Sequence, residues 1–97
     1  MLIQKTNTLE EGKPIILRLA TGDEVACQVK RVSESEVTIT HAFRLAVMQQ
    51  GVGFVPFSLL TDPSHDITIN KTQIVAYYQL NNDVEKDYLS ASSGIQL

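Results

Sequence analysis

A single cysteine in 97 residues, Cys27, leaves no possibility of an intramolecular disulfide and excludes a cysteine-based zinc cluster. A cytoplasmic setting is the natural expectation for such a chain. The amino terminus, Met1-Leu2-Ile3-Gln4-Lys5, has no basic region followed by a long apolar run, and Glu10-Glu11 arrives before one develops, so no secretion signal is expected. Long hydrophobic runs are missing as well. The most apolar stretch, 43–60, is interrupted by Arg44, Gln49, Gln50, two glycines and Pro56, which argues for strands and against a membrane partner. Positive charge is scarce: 8 Lys and Arg stand against 11 Asp and Glu, a net charge of -3, the opposite of the field of a strong nonspecific nucleic-acid binder. A net charge does not speak against a local basic patch.

Catalytic and cofactor signatures are also wanting. Cys27 has no neighbouring motif that supplies a base, so it reads as a small buried hydrophobe. His41 and His65 are far apart and lack a third ligand type at motif spacing. Gly51-Val52-Gly53 stops short of a phosphate loop and lies between strands. Asp62 and Asp66 flank Pro63, where a turn explains them as well as weak binding of a hard cation does. No catalytic residue, cofactor or metal is expected, and the chain does not read as an enzyme.

What is present is alternation. Leu17 and Leu19 fall on one face of a strand, Thr21-Gly22-Asp23 makes a tight turn, and Val25, Cys27 and Val29 line the returning strand. Ser33-Glu34-Ser35-Glu36 suits a second turn, after which Val37 and Ile39 return again. Strands are expected over 15–20, 24–32 and 36 to about 43, with 43–48 either continuing extended or starting a further strand. Gln50-Gly51-Val52-Gly53 offers turn chemistry before a strand over 54–60, in which Pro56 marks an edge, a bulge or an irregular crossing. After a loop at 61–66, Ile67-Thr68-Ile69 and 74–78 read as two short strands that close a barrel, joined by Asn70-Lys71-Thr72-Gln73. Tyr77 and Tyr78 point to opposite faces, one to the core and the other to an interface or the tail. Thr8-Leu9-Glu10-Glu11 has the form of a capping box, with Gly12 and Pro14 limiting any helix to a turn or two. From Asn81 the chain is polar except for Val84, Tyr88, Leu89 and Ile95; Asn82 or Asp83 can cap a short helix through Leu89, and 90–97 are expected to fray.

The spacing Leu17, Leu19, Gly22, Val25, Cys27, Val29, Val32, Val37, Ile39 resembles the first sequence motif of Sm-like proteins, with Leu9 where that family places an apolar residue of its amino-terminal helix. Ile69-Asn70-Lys71-Thr72-Gln73-Ile74 followed by Tyr77 resembles the second motif. The resemblance covers roughly 8–46 and 66–78. It implies a mainly β fold: a short helix, then an SH3-like, strongly bent five-stranded antiparallel barrel over 1–80, with an enlarged variable-loop hairpin inserted at about 43–65 and a tail over 81–97. It also implies a homo-oligomeric ring, formed where outer strands pair between subunits. The apolar arm agrees with that, and Phe54, Val55, Phe57, Leu59, Ile74 and Tyr77 are the expected interface residues. The alternative is that the arm folds back over its own barrel.

RNA contact in Sm-like proteins uses the loop between the second and third strands and the loop of the second motif. Carried over, the RNA-binding residues are Ser33, Ser35, Asn70, Lys71, Thr72 and Gln73. Two departures stand out: Cys27 occupies a position that is usually glycine, and the first loop has two carboxylates but no aromatic platform for stacking. The second loop suits a phosphate or a base edge, and equally an ordinary solvated turn. Lys30, Arg31 and Arg44 either form a basic strip or are simply solvated. Two functions therefore stand side by side: a ring that binds single-stranded RNA, and an interaction ring that binds protein partners through the inserted arm.

Overall fold

The computed structural model describes residues 9–49, 51–58 and 62–94. Strands β1 (Pro14–Leu19) and β2 (Glu24–Val32) form the first hairpin. Its register sets Leu17 opposite Val25 and Ile15 opposite Cys27, so the alternating apolar residues meet on one face. The turn between them closes through Leu19 N–H to the Asp23 carbonyl (2.9 Å) and Gly22 N–H to the Leu19 carbonyl (2.8 Å). Gly22 adopts φ +99°, a conformation glycine takes without steric cost. Strand β3 (Glu36–Met48) runs on through the stretch whose continuation the sequence left open. Ile15, Leu17, Leu19, Val25, Cys27, Val29, Val37, Ile39 and Ala42 make the main core, with Leu9, Phe57, Ile67, Ile69, Ile74 and Tyr77 packed against it.

The main core passes from Ile39 to Ala42, not to residue 41, because β3 carries a bulge. Between the pairs Ala26–Phe43 and Gln28–Thr40, one residue of β2, Cys27, faces two of β3, His41 and Ala42. His41, at φ 51°, is the one non-glycine residue with positive φ among the described residues. An extra residue bends a strand and shifts its facing by one, so Phe43 and Leu45 turn to the opposite side of the sheet. The bend also divides the outer edge of β3 between two partners. Strand β4 (Gly51–Pro56) pairs with the stretch from Phe43 to Met48, and β5 (Ile67–Asn70) with Glu36 to Ile39. The arm is thus a hairpin in which Gly51-Val52-Gly53 is strand, paired with Met48 to Ala46, and the strand ends at Pro56; an extension to Leu59 and Leu60 lies outside the described residues.

A 3-10 turn (Lys71–Gln73) leads into β6 (Ile74–Tyr78), which pairs with β1. The sheet therefore has six strands in the order β4-β3-β2-β1-β6 with β5 on β3, and among the described residues the pairing does not return on itself. This corrects the expectation of a closed five-stranded barrel: the insertion splits one edge position of β3 into two strands, and β6 adds to β1 with no further strand on its outer edge among the described residues.

The second face of the sheet is also covered. Helix α1 (Asn82–Gly94) starts under a cap in which the Asn81 side chain accepts from Val84 N–H at 2.9 Å. It lays Val84 and Tyr88 over Ile16, Ala26, Phe43 and Phe54, together with Leu80 and Tyr78. Tyr88 is completely buried, meets the Phe43 and Phe54 rings edge-on at 6.1 Å each, and donates its hydroxyl to the His41 carbonyl (2.8 Å). The tail is therefore helical through Gly94, five residues beyond the expected end, because burial of Tyr88 fixes the helix on the sheet; 95–97 lie outside the described residues. At the other end, 9–13 contain a turn, and the rest of the expected amino-terminal helix lies outside the described residues. No described helix is long and apolar enough to cross a membrane.

Candidate nucleic-acid interface

Pairing of β5 with the start of β3 sets Asn70 opposite Glu36. The two turns named from the sequence, 33–36 and 70–73, are thereby brought side by side. A backbone bond joins them directly: Lys71 N–H donates to the Ser35 carbonyl at 2.8 Å. The 3-10 turn is tied on its other flank to the first hairpin, where Ala20 N–H donates to the Gln73 carbonyl at 2.8 Å.

Within the first turn, Ser33 N–H donates to the Glu36 carbonyl (2.8 Å) and Glu36 N–H donates to Ser33 Oγ (3.0 Å). Ser33 is thus committed to its own turn, whereas the Ser35 side chain is exposed between the exposed Glu34 and Glu36. Within the second, Asn70 Oδ1 accepts from Thr72 N–H (3.0 Å) and Thr72 Oγ1 (2.9 Å). Such a bond fixes the backbone of a tight turn and accounts for the residue types at Asn70 and Thr72. Gln73 has an exposed side chain. Lys71 is half-buried and has no ion-pair partner among the described residues. It borders a cleft of about 200 Å³ together with Leu9, Ile74 and Tyr77.

The residues expected at a subunit interface are distributed differently. Phe54 packs in the second cluster, edge-on to Phe43 at 6.5 Å, and Phe57 packs against the main core, held by Phe57 N–H to the Ala42 carbonyl (3.0 Å). The arm thus folds back on its own sheet at these two rings. Val55 is half-buried opposite Arg44; Ile74 and Tyr77 lean on the main core; Leu59 lies outside the described residues. Among the described residues the arm leaves its far end open, where Val47 is 89% exposed, and no strand pairs with the outer edge of β4. Among the described residues no strand pairs with the outer edge of β6 either, and Val75, at its register shift against β1, is 60% exposed.

Of the basic residues weighed from the sequence, Lys30 is paired with Asp66 (3.1 Å), Arg31 is exposed and Arg44 sits on the arm opposite Val55. The loop 62–66 serves the β3 bulge. Its Pro63 carbonyl accepts His41 N–H (2.7 Å), its Ser64 carbonyl accepts Thr40 Oγ1 (3.0 Å), and Asp62 Oδ1 accepts both Ser64 N–H and Ser64 Oγ (2.9 Å each). Those two bonds hold the Asp62 carboxyl below its ordinary pKa. Among the described residues no group of three or more His, Cys, Asp or Glu is placed to hold a metal. Burial pushes the Cys27 thiol up to about 12, which makes it an inert core residue.

The sequence reading missed a network at the rim of the second face. There the Glu24 carboxylate accepts from the Tyr78 hydroxyl and from Arg18 Nη2 (2.8 Å), across β6, β1 and β2. Its signal is the position of Arg18 and Glu24 as direct cross-strand neighbours. The cleft beside Lys71 was missed because its walls come from three separated segments, 9, 71–74 and 77, that only the fold joins.

No protein-family model matches the chain, and no curated protein matches it either.

Proposed function

We propose that the chain is an Sm-like protein that assembles into a homo-oligomeric ring and binds single-stranded RNA at the paired turns 33–36 and 70–73. The observation that carries this reading is the direct junction of the two turns through Lys71 N–H and the Ser35 carbonyl, beside a Lys71 side chain without a counter-ion among the described residues. Lys71, Ser35 and Gln73 are the side chains available for contact. Asn70, Thr72 and Ser33 shape the turns that present them. The strongly bent β3, the tight hairpin at Gly22 and the short strand, turn and strand from Ile67 to Tyr78 support the same family.

Assembly follows from the sheet edges. An open strand edge carries unpaired N–H and C=O groups, and pairing the edge of β4 on one copy with that of β6 on the next is a heterologous contact, the kind that makes a ring where its rotation closes. Repetition around a ring turns one Lys71 contact into many, which offsets the acidic balance of the chain. Light scattering at micromolar concentration tests this step. A closed oligomer is expected, and a stable monomer would contradict it.

One set of observations favours a second reading, a ring that binds protein partners and no nucleic acid. Glu34 and Glu36 flank the same mouth, and the arm exposes Val47 at its far end. Titration with single-stranded RNA separates the two readings, since only the first predicts salt-sensitive binding lost on Lys71→Glu.

A further inference from the structure

The nucleic-acid reading leaves one element unsupplied, because turn 33–36 has no ring on which a base can stack. We infer that Tyr77 supplies it: the cleft between Leu9, Lys71, Ile74 and Tyr77 takes one nucleotide of a single-stranded chain, its base against the Tyr77 ring and its phosphate on the Lys71 ammonium. This inference rests on the function proposed above and assigns its stacking residue to strand β6.

Size, lining and position each favour that occupant. A cleft of about 200 Å³ is smaller than the roughly 300–1,000 Å³ of sites for drug-sized ligands, and suits one ring system. Among the described residues its walls are the apolar or aromatic side chains of Leu9, Ile74 and Tyr77 and the cation of Lys71, with no carboxylate among them, a lining that favours a flat ring carrying negative charge. The Tyr77 ring is half-buried and backed by the main core, which holds it in place before any ligand arrives; its hydroxyl has no hydrogen-bond partner among the described residues. Lys71 lines the cleft and its backbone N–H joins the two turns, so the cleft lies beside their junction. Edge pairing by β6 uses backbone groups and does not consume the Tyr77 side chain.

The chain has no tryptophan, so Tyr77→Trp installs a single emitter in the cleft. A single-stranded RNA oligonucleotide, uridine monophosphate and inorganic phosphate are titrated in turn, with emission and anisotropy followed together and the oligomeric state checked for every variant. The expected result is saturable quenching by the oligonucleotide in step with its binding, weaker quenching by the mononucleotide and none by phosphate. Tyr77→Phe should bind as the wild type does, because the ring remains and no partner is lost. Tyr77→Leu should bind about tenfold more weakly at an unchanged oligomeric state, within the range of one lost base stack. RNA binding by the wild type, with no quenching of the tryptophan in Tyr77→Trp and no weakening in Tyr77→Leu, would overturn the inference and leave the proposed function standing. Phosphate competing as well as the mononucleotide would overturn it in favour of a plain anion site. Absence of RNA binding by both the wild type and Tyr77→Trp would remove the inference and the proposed function together. Should Tyr77→Leu fail to fold, the quenching of Tyr77→Trp and the affinity of Tyr77→Phe still decide the matter.

Discussion

Removing the Tyr88 side chain should unfold more than the helix that bears it. Tyr88 is completely buried, contacts two aromatic rings at 6.1 Å and donates to the His41 carbonyl at the bend of β3. Truncating a buried aromatic to alanine costs about 3–5 kcal/mol through lost transfer energy and the cavity left behind. Against a total stability of roughly 5–15 kcal/mol for a single domain, that is a large share. Tyr88→Phe keeps both ring contacts and removes only the hydroxyl, leaving the His41 carbonyl without that donor, so it should cost about 1–2 kcal/mol. For a domain of about 100 residues each kcal/mol lowers Tm by roughly 4–8 °C. Urea or thermal unfolding followed by circular dichroism at the helix band and at the sheet band measures both variants. Because Tyr88 covers Ile16, Ala26 and Phe43, the helix and sheet signals should shift together in Tyr88→Ala. A Tyr88→Ala protein that loses helix signal while its sheet melts within about 2 °C of the wild type would refute the claim that α1 is integral to the fold.

Gly22→Val should destabilise by about 1–3 kcal/mol, since φ +99° is strained for a β-branched residue even though a Cβ there meets nothing within 4 Å; an unchanged Tm would refute this. Stability should fall as pH rises above about 9. The Cys27 thiol is pushed up to about 12 and the Tyr88 phenol is also raised, both by burial, so the unfolded chain releases these protons first and is favoured by alkali. The stabilisation is complete below the unfolded-state values and lost as pH climbs through the folded ones; Cys27→Ala should flatten the part of that slope nearest pH 9 in denaturant titrations, and an unaltered slope would contradict the assignment. Lys71→Glu reverses one charge per subunit at the mouth and should weaken RNA binding, whereas Ser35→Phe adds a stacking surface worth roughly 1–3 kcal/mol per base and should strengthen it; filter binding or anisotropy reads both.

The alternation from Leu17 to Ile39 was sufficient to place the first three strands, the Gly22 turn and the main core, because one buried face imposes a period of two. The second buried face was written in the same residues. Ile15-Ile16-Leu17 and Val25-Ala26-Cys27 are consecutive buried runs, the mark of strands covered on both sides, and attention to the odd positions alone passes over Ile16 and Ala26. The bulge at His41 had no local signal: histidine tolerates positive φ without announcing it, and the one-residue shift it causes sends Phe43 to the second face instead of the first. Leu80, Val84 and Tyr88 recur every four residues, a helical face in an otherwise polar tail, and burial of Tyr88 on the sheet accounts for the helix running through Gly94. At the candidate site, the two turns were legible one by one, but their junction through Lys71 and Ser35 depends on β5 pairing with β3 across the inserted arm.

The central claim, a ring with an RNA-binding mouth, is tested most directly by titrating the wild-type protein, at a concentration where its oligomer is intact, with a labelled single-stranded RNA at about 50 and 200 mM salt. Binding at the lower salt that weakens at the higher is predicted, with a log–log slope near -0.7 for each phosphate neutralised and a shallower slope for Lys71→Gln. Absence of binding at the lower salt, or binding indifferent to salt and to Lys71, would contradict the account and leave the chain as a protein-interaction ring.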